Sequence, residues 1–374
     1  MTATTATTIT GTSTTALPPQ VTPPPAAGTA PTVRPVATPA DRAAWAAYVD
    51  TQPAGTLFHH PTWSNVVERV FGHTPQHRLA WRGGHVVGVL PLLEVHSLIA
   101  GTLLVSVPYG TYGGILADDA DTCGVLTAAA RELVSERRAR LLDLRSATAN
   151  APDLPCDERY AAFTRPLPVD LPGLQTFLPR KARAAARQAV QREGLTVTHD
   201  HRLLRTVYDM YARSMRRLGS INYPYRFFTE LAAELGLRAW VSVVWRGTTP
   251  AAGLLSFVYR DTVLPHFVGV DERVEAPGAT NLLYFATMER AVKAQLAYFD
   301  FGRSRISNTG PFEFKRNQGF APRTLGYQRY SPTQRTPDLS PTNPRFATVR
   351  RLWPYLPLGL TRPLGAWLAR SIPG

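Results

Sequence analysis

Cysteine is nearly absent from this sequence of 374 residues. Cys123 and Cys156 are the only two, and their spacing fits neither a metal-binding pattern nor a disulfide framework. We therefore expect no bound metal. The scarcity of cysteine also suits a reducing cytoplasm.

Long apolar runs are missing as well. No stretch of about 20 uninterrupted apolar residues occurs, so the sequence predicts no membrane-spanning helix. Residues 1–38 are mostly Thr, Ala and Pro and lack the basic start and apolar core of a secretory signal. They bury too little apolar surface to offset the entropy of ordering, so we predict a disordered extension. These features together predict a cytoplasmic protein.

Acidic residues are the minority charge. The chain has 27 Asp and Glu against 41 Lys and Arg, which gives a formal net charge of +14. This balance favours an anionic partner, such as RNA, a nucleotide-linked or lipid-linked substrate, or the inner membrane surface. An Arg-rich coding bias explains the charge equally well, so both interpretations stay open.

The length is enough for two domains, and alternating helix and strand patterns predict a mixed α/β (α+β) fold. We place a first module at residues 39–168. It begins with a helix capped by Asp41, and it contains a hairpin at Gly83-Gly84 between two apolar runs. A tight loop, Pro108 to Ile115, and a helix from Asp121 to Arg138 follow.

We place the second module at residues 169–330. Its first helix runs from Leu171 to a stop at Gly194 and carries Arg180, Arg183 and Arg187 on one face. No acidic residue at helical spacing neutralises that face, so it either faces an anion or is simply solvated.

Three strands, over residues 237–245, 251–259 and 262–270, form a predicted antiparallel meander in this module. Pro265 interrupts the third strand and predicts a bulge or an edge there. A helix from Thr280 to Leu296 follows, with Thr280 or Asn281 as its cap. Tyr223, between two earlier helices, could line an opening.

The segment DFGRSRISNTGPFEFKRNQGFAP, residues 300–322, combines an anion, several cations and pliable glycines. Asp300 follows an apolar run that predicts a buried strand, and Arg303, Ser304 and Lys315 come close behind. Arg and Lys match phosphate and carboxylate oxygens, so these residues suit the binding of an anionic substrate. An Asp–Arg pair that fixes a strand end to a loop is the structural alternative.

The motifs DFGRS and FEFKRNQGFAP resemble the C-terminal half of FemAB-like proteins, in particular those associated with exosortase systems. The resemblance covers about residues 40–330. It implies two tandem modules of the GNAT acyltransferase type, and transfer of an acyl or aminoacyl group to an amine or hydroxyl without a covalent enzyme intermediate. Such family members act on cell-envelope or exopolysaccharide-related precursors, so an anionic or lipid-linked acceptor is implied.

The resemblance also implies site residues. Tyr112 lies in a segment that matches a motif near the cleft, and Arg183 and Arg187 lie on a helix with a similar basic pattern. Thr280 and Asn281 would orient the donor. The segment ERVEAPGATN departs from the pyrophosphate-binding turn of acetyl-CoA enzymes. We therefore expect no tightly bound cofactor, and a donor co-substrate that is either aminoacyl-tRNA or acyl-CoA.

Acyl transfer to an amine needs a group that removes a proton, and Asp300 and His266 are the two candidates for this base. The sequence contains no Ser–His–Asp or Cys–His motif. Two other classes stay open: a non-catalytic scaffold of a polysaccharide or protein-sorting system, and an RNA-binding protein, although no RNA-binding motif occurs.

Residues 331–344 are rich in Pro, Ser, Thr and Asn and predict a linker. The tail at residues 345–374 has apolar residues at helical spacing and two tryptophans, cations at Arg350, Arg351, Arg362 and Arg370, and interruptions at Pro354, Pro357 and Pro363. We predict a short helical tail that lies on the inner membrane face. The alternative is that its apolar residues pack back onto the second module.

Overall fold

The computed structural model describes residues 30–333 and 347–374. Within these ranges the strands, in chain order, are β1 (Thr32–Pro35), β2 (Thr74–Pro75), β3 (Arg78–Arg82), β4 (His85–Leu90), β5 (Leu93–Ser97), β6 (Gly101–Val105), β7 (Leu116–Ala117), β8 (Leu141–Arg145), β9 (Cys156–Asp157), β10 (Tyr160–Pro166), β11 (Leu195–His199), β12 (Ala239–Arg246), β13 (Thr249–Tyr259), β14 (Thr262–Val270), β15 (Tyr298–Arg305), β16 (Arg323–Thr324) and β17 (Tyr327–Tyr330).

The α-helices are distributed over both modules and the tail. In chain order they are α1 (Pro39–Thr51), α2 (Pro61–Phe71), α3 (Ala120–Glu136), α4 (Leu171–Phe177), α5 (Arg180–Gln191), α6 (Leu204–Arg217), α7 (Tyr225–Leu235), α8 (Ala279–Lys293), α9 (Thr309–Asn317), α10 (Ala347–Leu352) and α11 (Leu358–Ala369).

The strands form three sheets. The first half of the chain supplies a four-stranded sheet in the order β1-β3-β4-β7 and most of a six-stranded sheet in the order β2-β5-β6-β8-β17-β9. The second half supplies most of a seven-stranded sheet in the order β11-β12-β13-β14-β15-β10-β16. The mixed α/β fold that the alternating pattern predicts is confirmed.

Each module contains two parallel strands joined by a helix. In the first module, β6 lies parallel to β8 and α3 connects them. In the second, β14 lies parallel to β15 and α8 connects them. Parallel neighbours need such a crossover because the end of the first strand and the start of the second lie at opposite ends of the sheet.

Two strands cross the predicted module boundary at residues 168 and 169. β10 precedes the boundary but pairs with β15 in the seven-stranded sheet. β17 belongs to the second half of the chain but pairs with β8 in the six-stranded sheet. The two modules therefore exchange strands, which residue ranges taken in chain order do not express.

The largest apolar core also belongs to both modules. Trp63 on α2 is fully buried and meets the ring of Phe227 on α7 at a centroid distance of 5.7 Å. Phe257 on β13 lies against the same tryptophan. Because large aromatic side chains dominate core energetics, this shared cluster fixes the modules against each other.

The predicted disordered extension is too long. Residues 1–29 lie outside the described residues, but β1 pairs antiparallel with β3, from Thr32 opposite Trp81 to Pro35 opposite Arg78. The expectation is therefore wrong for residues 32–38. Thr38, rather than Asp41, caps α1, and the two form a capping box in which each side chain binds the other's backbone N–H.

Three other local predictions need correction. The single helix predicted from Leu171 to Gly194 is divided into α4 and α5 before Pro179, which has no N–H to donate and disfavours helical backbone in the preceding residue. Gly278, with a φ of 77°, is the N-cap of α8 in place of Thr280 or Asn281. Asp300 lies inside β15 rather than at a strand end.

The meander of β12, β13 and β14 is confirmed, and the pairing of β13 with β14 shifts register opposite Pro265. Most of the predicted linker lies outside the described residues. The tail is helical as predicted, with a short 3₁₀ turn at Trp353–Tyr355 between α10 and α11. No helix in the described part of the chain is both long and apolar enough to cross a bilayer.

Candidate functional site

The second parallel pair opens shortly after it begins. β14 and β15 are joined only at Thr262 opposite Tyr298 and at Val263 opposite Phe299. Pro265 cannot donate to a ladder and lies in the irregular part of β14. Beyond that point β15 takes its pairing from β10 on its other side. The two strands therefore separate after Phe299, and the gap between them begins beside Asp300.

Asp300 is 5% exposed and accepts hydrogen bonds at Oδ1 from the Gly302 N–H at 2.7 Å and from the Tyr112 hydroxyl at 3.1 Å. The Thr164 hydroxyl is a further neighbour. Burial raises the pKa of this carboxyl above its ordinary value, and the hydrogen bonds and the Lys315 ammonium oppose the rise without cancelling it. A carboxylate with a raised pKa is a better proton acceptor near neutral pH.

A cavity of about 670 Å³ lies between the modules at Asp300. The second module supplies the β13–β14 turn and the start of β15, and the first supplies the loop after α1 and Tyr112. Its polar lining includes Thr56, Tyr112, Thr148, Thr164, Tyr259, Arg260, Asp261, Thr262, Asp300 and Arg323. The volume is in the usual range for small-molecule sites, which often lie between domains.

Lys315 reaches β15 from α9 and is engaged by backbone. Its Nζ donates to the carbonyl oxygens of Phe301 at 2.8 Å, Gly302 at 3.3 Å and Arg303 at 2.9 Å. Burial lowers the pKa of this ammonium to about 8, although the nearby Asp300 opposes the fall. An ammonium has three protons, so these carbonyls account for its donors. A contact of Lys315 with a phosphate or carboxylate of the substrate remains a prediction.

Arg303 follows on β15 and lies among tyrosines. It donates from Nη1 to the Tyr327 hydroxyl at 3.2 Å, and its guanidinium lies 4.9 Å from the ring centroid of Tyr160. Within the described residues no carboxylate forms an ion pair with it. Stacking on aromatic rings leaves the positive charge of the guanidinium in place, but Arg303 is not among the residues that line the cavity at Asp300. Ser304, the next residue, is buried and pairs with Ala161 of β10.

His266 lies in an aromatic environment. Its ring centroid is 5.3 Å from that of Trp63, 5.4 Å from that of Phe257 and 4.5 Å from that of Phe267. Burial lowers the pKa of His266 to about 3, so the imidazole is neutral at neutral pH. A base with so low a pKa holds a proton weakly, and of the two predicted bases Asp300 has the more suitable pKa.

The remaining predicted residues lie at two other places. Tyr223 meets the ring of Tyr109 edge to face at a centroid distance of 5.1 Å and lines a smaller cavity of about 160 Å³. Arg183 and Arg187 lie on α5 and line a groove of about 450 Å³ against α8.

Thr280 and Asn281 are in the first turn of α8, beside this groove. Within residues 30–333 and 347–374, no hydrogen bond or ion pair joins them to Asp300. The structure thus brings together Asp300, Tyr112, Lys315, Arg303 and Ser304, but not the residues predicted for the donor.

Sequence reasoning missed an ionic cluster in the first module. Asp143 on β8 is 3% exposed and pairs with Arg145 Nε at 3.1 Å and Arg329 Nε at 3.0 Å. Burial favours the neutral acid, but the two guanidinium groups outweigh it and hold the pKa of Asp143 well below its usual range. The sequence signal for this cluster was Asp143 itself, a charged residue inside an apolar strand. Nothing in the sequence linked the distant Arg329 to it.

Neither cysteine forms a disulfide, and no group of metal-ligating side chains occurs in the described part of the chain. The site is therefore built from a carboxylate, hydroxyl groups, cations and parted backbone. A mixed sheet whose parallel strands part beside such a cavity is typical of acyltransferase domains of the GNAT class.

Comparison with known proteins agrees with this class. Residues 178–316 match the family model described as an acetyltransferase (GNAT) domain, so the second module contains a GNAT-type domain. No curated protein matches the chain in sequence.

Solved structures extend the likeness to both modules. A crystal structure of FemX is similar with a TM-score of 0.58 and 14% identity, over 83% of this chain and 98% of that chain. A tandem GNAT protein from the clavulanic acid biosynthesis pathway is similar with a TM-score of 0.50 and 13% identity, over 80% and 98%. These likenesses confirm the tandem GNAT-like fold and the FemAB-like resemblance at the level of fold.

Proposed function

We propose that this protein is an acyl- or aminoacyltransferase and that Asp300 is its general base. The acceptor is an amine or hydroxyl of a cell-envelope or exopolysaccharide-related precursor, bound in the cavity between the modules. The observation that carries the proposal is the buried Asp300 carboxyl, whose pKa burial raises and which lines a cavity large enough for a substrate.

The reaction requires one proton acceptor and no covalent intermediate. The acceptor nitrogen or oxygen attacks the acyl carbonyl carbon while its proton passes to Asp300. The tetrahedral species then collapses, the bond from carbon to the leaving sulfur or oxygen breaks, and the leaving group departs as a thiol or hydroxyl with the proton that Asp300 had accepted, which returns Asp300 to the carboxylate. Tyr112 and Gly302 hold the carboxylate by hydrogen bonds, so its orientation is set before the acceptor binds.

We assign Arg303 to an anionic group of the substrate; it lies three residues after Asp300 on β15, outside the lining of the cavity. It has no carboxylate partner among the described residues, and two tyrosine rings fix its position. A guanidinium held in this way can bind phosphate or carboxylate through paired hydrogen bonds. This supports an anionic, nucleotide-linked or lipid-linked acceptor.

The donor is either aminoacyl-tRNA or acyl-CoA. The groove between α5 and α8 carries Arg183 and Arg187 and lies beside the first turn of α8. Cations beside a helix start suit a phosphate-bearing donor of either kind. The net charge of +14 also suits either donor.

Mass spectrometry of a donor-by-acceptor panel tests the function. Purified protein is incubated with charged tRNA or acyl-CoA and with nucleotide-linked or lipid-linked glycan precursors. We expect one pair to give an acceptor with the mass of the acyl group added, and Asp300→Asn to lower the rate of its formation by about 100- to 10,000-fold. Asp153→Asn is the matched control, because Asp153 is exposed and asparagine tolerates its positive φ of 60°.

Product from the Asp300→Asn protein at the normal rate would show that Asp300 is not the base. Binding of a precursor without turnover, by a folded protein, would favour the scaffold alternative.

A further inference from the structure

The tail packs onto the second module through its small residues. Thr361, Gly365 and Ala369 recur at helical spacing on α11 and are buried. A side chain at Gly365 would come within 2.5 Å of the Asn222 side chain, so only glycine allows this close approach. Arg362 also pairs with Asp209 on α6 at 2.6 Å. The inner face of the tail is thus firmly attached.

Six large apolar residues of the tail face outward. We call these residues the tail stripe; they are between 41% and 85% exposed and comprise Val349, Leu352, Tyr355, Leu360, Leu364 and Trp367. Trp353, at 3% exposure, faces inward, and Leu356, Leu358, Leu368 and Ile372 are half-buried. An amphipathic helix that merely completes a globular core places most of its large apolar residues inward. Leu360, Leu364 and Trp367, by contrast, lie at i, i+4 and i+7 on the outer face of α11, and exposed apolar residues on one face indicate an interaction surface.

The charge around the stripe identifies the occupant. Residues 347–374 contain four arginines and no acidic residue, and Arg351 and Arg370 are exposed. A second copy of this chain would bring one cationic surface against another, which disfavours a symmetric dimer. A surface that presents both apolar chains and negative charge matches the stripe and the arginines together, and an anionic lipid bilayer is such a surface.

We propose that the tail stripe and its flanking arginines dock this protein onto an anionic membrane surface. The apolar side chains enter the boundary between headgroups and acyl chains, and Trp367 lies at headgroup level. The tail keeps its packing on α6 while docked, because the buried residues Thr361, Gly365 and Ala369 take no part in membrane contact. This proposal does not depend on the transferase function.

Vesicle flotation of the full-length chain tests the docking. We expect binding to vesicles that contain phosphatidylglycerol, little binding to phosphatidylcholine alone, and loss of binding in roughly 1 M salt, where charges are screened beyond about 3 Å. Replacing Leu360, Leu364 and Trp367 together by Ser should weaken partitioning by about 100-fold. Arg351→Gln with Arg370→Gln should weaken it by about 30-fold, equivalent to about 2 kcal/mol.

The control replaces exposed apolar residues away from the tail. Leu98, Ile99 and Leu237 are 68%, 44% and 86% exposed, and their joint replacement by Ser should leave flotation unchanged. Thermal melts of each variant verify folding, which these exposed positions should preserve. Equal flotation of the stripe variant and the wild type overturns the proposal. So does a dimer, seen by light scattering, that the stripe substitutions dissociate while the wild type binds no vesicles.

Discussion

Two buried aspartates occupy comparable strands of the two modules, and their surroundings differ. Asp143 lies on β8 and Asp300 on β15, each the second strand of a parallel pair joined by a helix. Arg145 and Arg329 neutralise Asp143, which lowers its pKa. Asp300 has hydroxyl and N–H partners but forms no ion pair with an arginine in the described part of the chain, and its pKa is raised. Charge partners, more than burial, therefore separate an aspartate suited to structure from one suited to proton transfer.

The two parallel strand pairs also differ in how far their strands stay hydrogen-bonded to each other. β6 and β8 pair at three positions, and the Ser106 N–H continues the contact by donating to the Asp143 carbonyl. β14 and β15 pair at two positions and then part. The first pair closes over its aspartate, whereas the second opens beside Asp300 onto a cavity. The exchange of β10 and β17 between the sheets places both aspartates near the module junction.

The largest expected effect is on turnover. Asp300→Asn should lower the rate of acyl transfer by about 100- to 10,000-fold, the usual contribution of a general base. Asp143→Asn should leave turnover much less affected wherever the protein is still folded. Initial rates with the active donor–acceptor pair, alongside circular dichroism of both variants, measure the difference. Equal losses in the two variants would remove the functional distinction between the aspartates.

The second effect is on stability and concerns Asp143. Asp143→Asn should reduce the free energy of unfolding by about 3–5 kcal/mol, because the buried Arg145 would lose its carboxylate partner. Urea denaturation measures this loss. The exposed control, Asp153→Asn, should change stability by less than about 0.5 kcal/mol. A loss as small for Asp143→Asn as for the control would show that the buried cluster contributes little.

Lys315 provides a smaller test on the Asp300 side. Lys315→Met should reduce the free energy of unfolding by about 1–3 kcal/mol, because three backbone carbonyls of β15 lose their shared donor. Lys293→Met is the matched control, since Lys293 is exposed and pairs only with Glu289 on the same helix. The two variants are compared by thermal and urea unfolding. If both are equally stable, the ammonium is free for a ligand rather than committed to backbone.

The smallest effect is in the pH dependence of stability, where the two aspartates should have opposite signs. The folded-state pKa of Asp300 lies above its ordinary value, so its contribution is present at low pH and is lost as pH rises through that pKa. Wild type should therefore lose stability relative to Asp300→Asn as pH rises from about 4. The folded-state pKa of Asp143 is lowered, so its contribution is lost as pH falls. Midpoints of urea unfolding, measured from about pH 3 to 8, test both signs. The lower end of this range lies about one unit below the ordinary pKa of an aspartate. A parallel pH trend for the two variants would contradict the comparison.

Much of the site could be read from sequence because its residues are close along the chain. Asp300, Arg303 and Lys315 all lie within one segment, and Tyr112 came from the resemblance to FemAB-like proteins. The structure joins Tyr112 to Asp300 by a hydrogen bond across 188 positions. The contact of Lys315 with three carbonyls was not foreseen, because it depends on how α9 folds back onto β15.

Local spacing along the chain was sufficient for the mixed fold, the meander, the bulge at Pro265 and the helical tail, because periodicity and proline act over a few neighbouring residues. Pairing over long distances was decided only when the chain folded. The ordering of Thr32–Pro35 depends on β3, which supplies its hydrogen-bond partners. The exchange of β10 and β17, the opposite pKa shifts of Asp143 and Asp300, and the exposed face of the tail have the same origin. Each depends on which distant groups become neighbours, and burial and charge act on a residue only through the neighbours that tertiary packing provides.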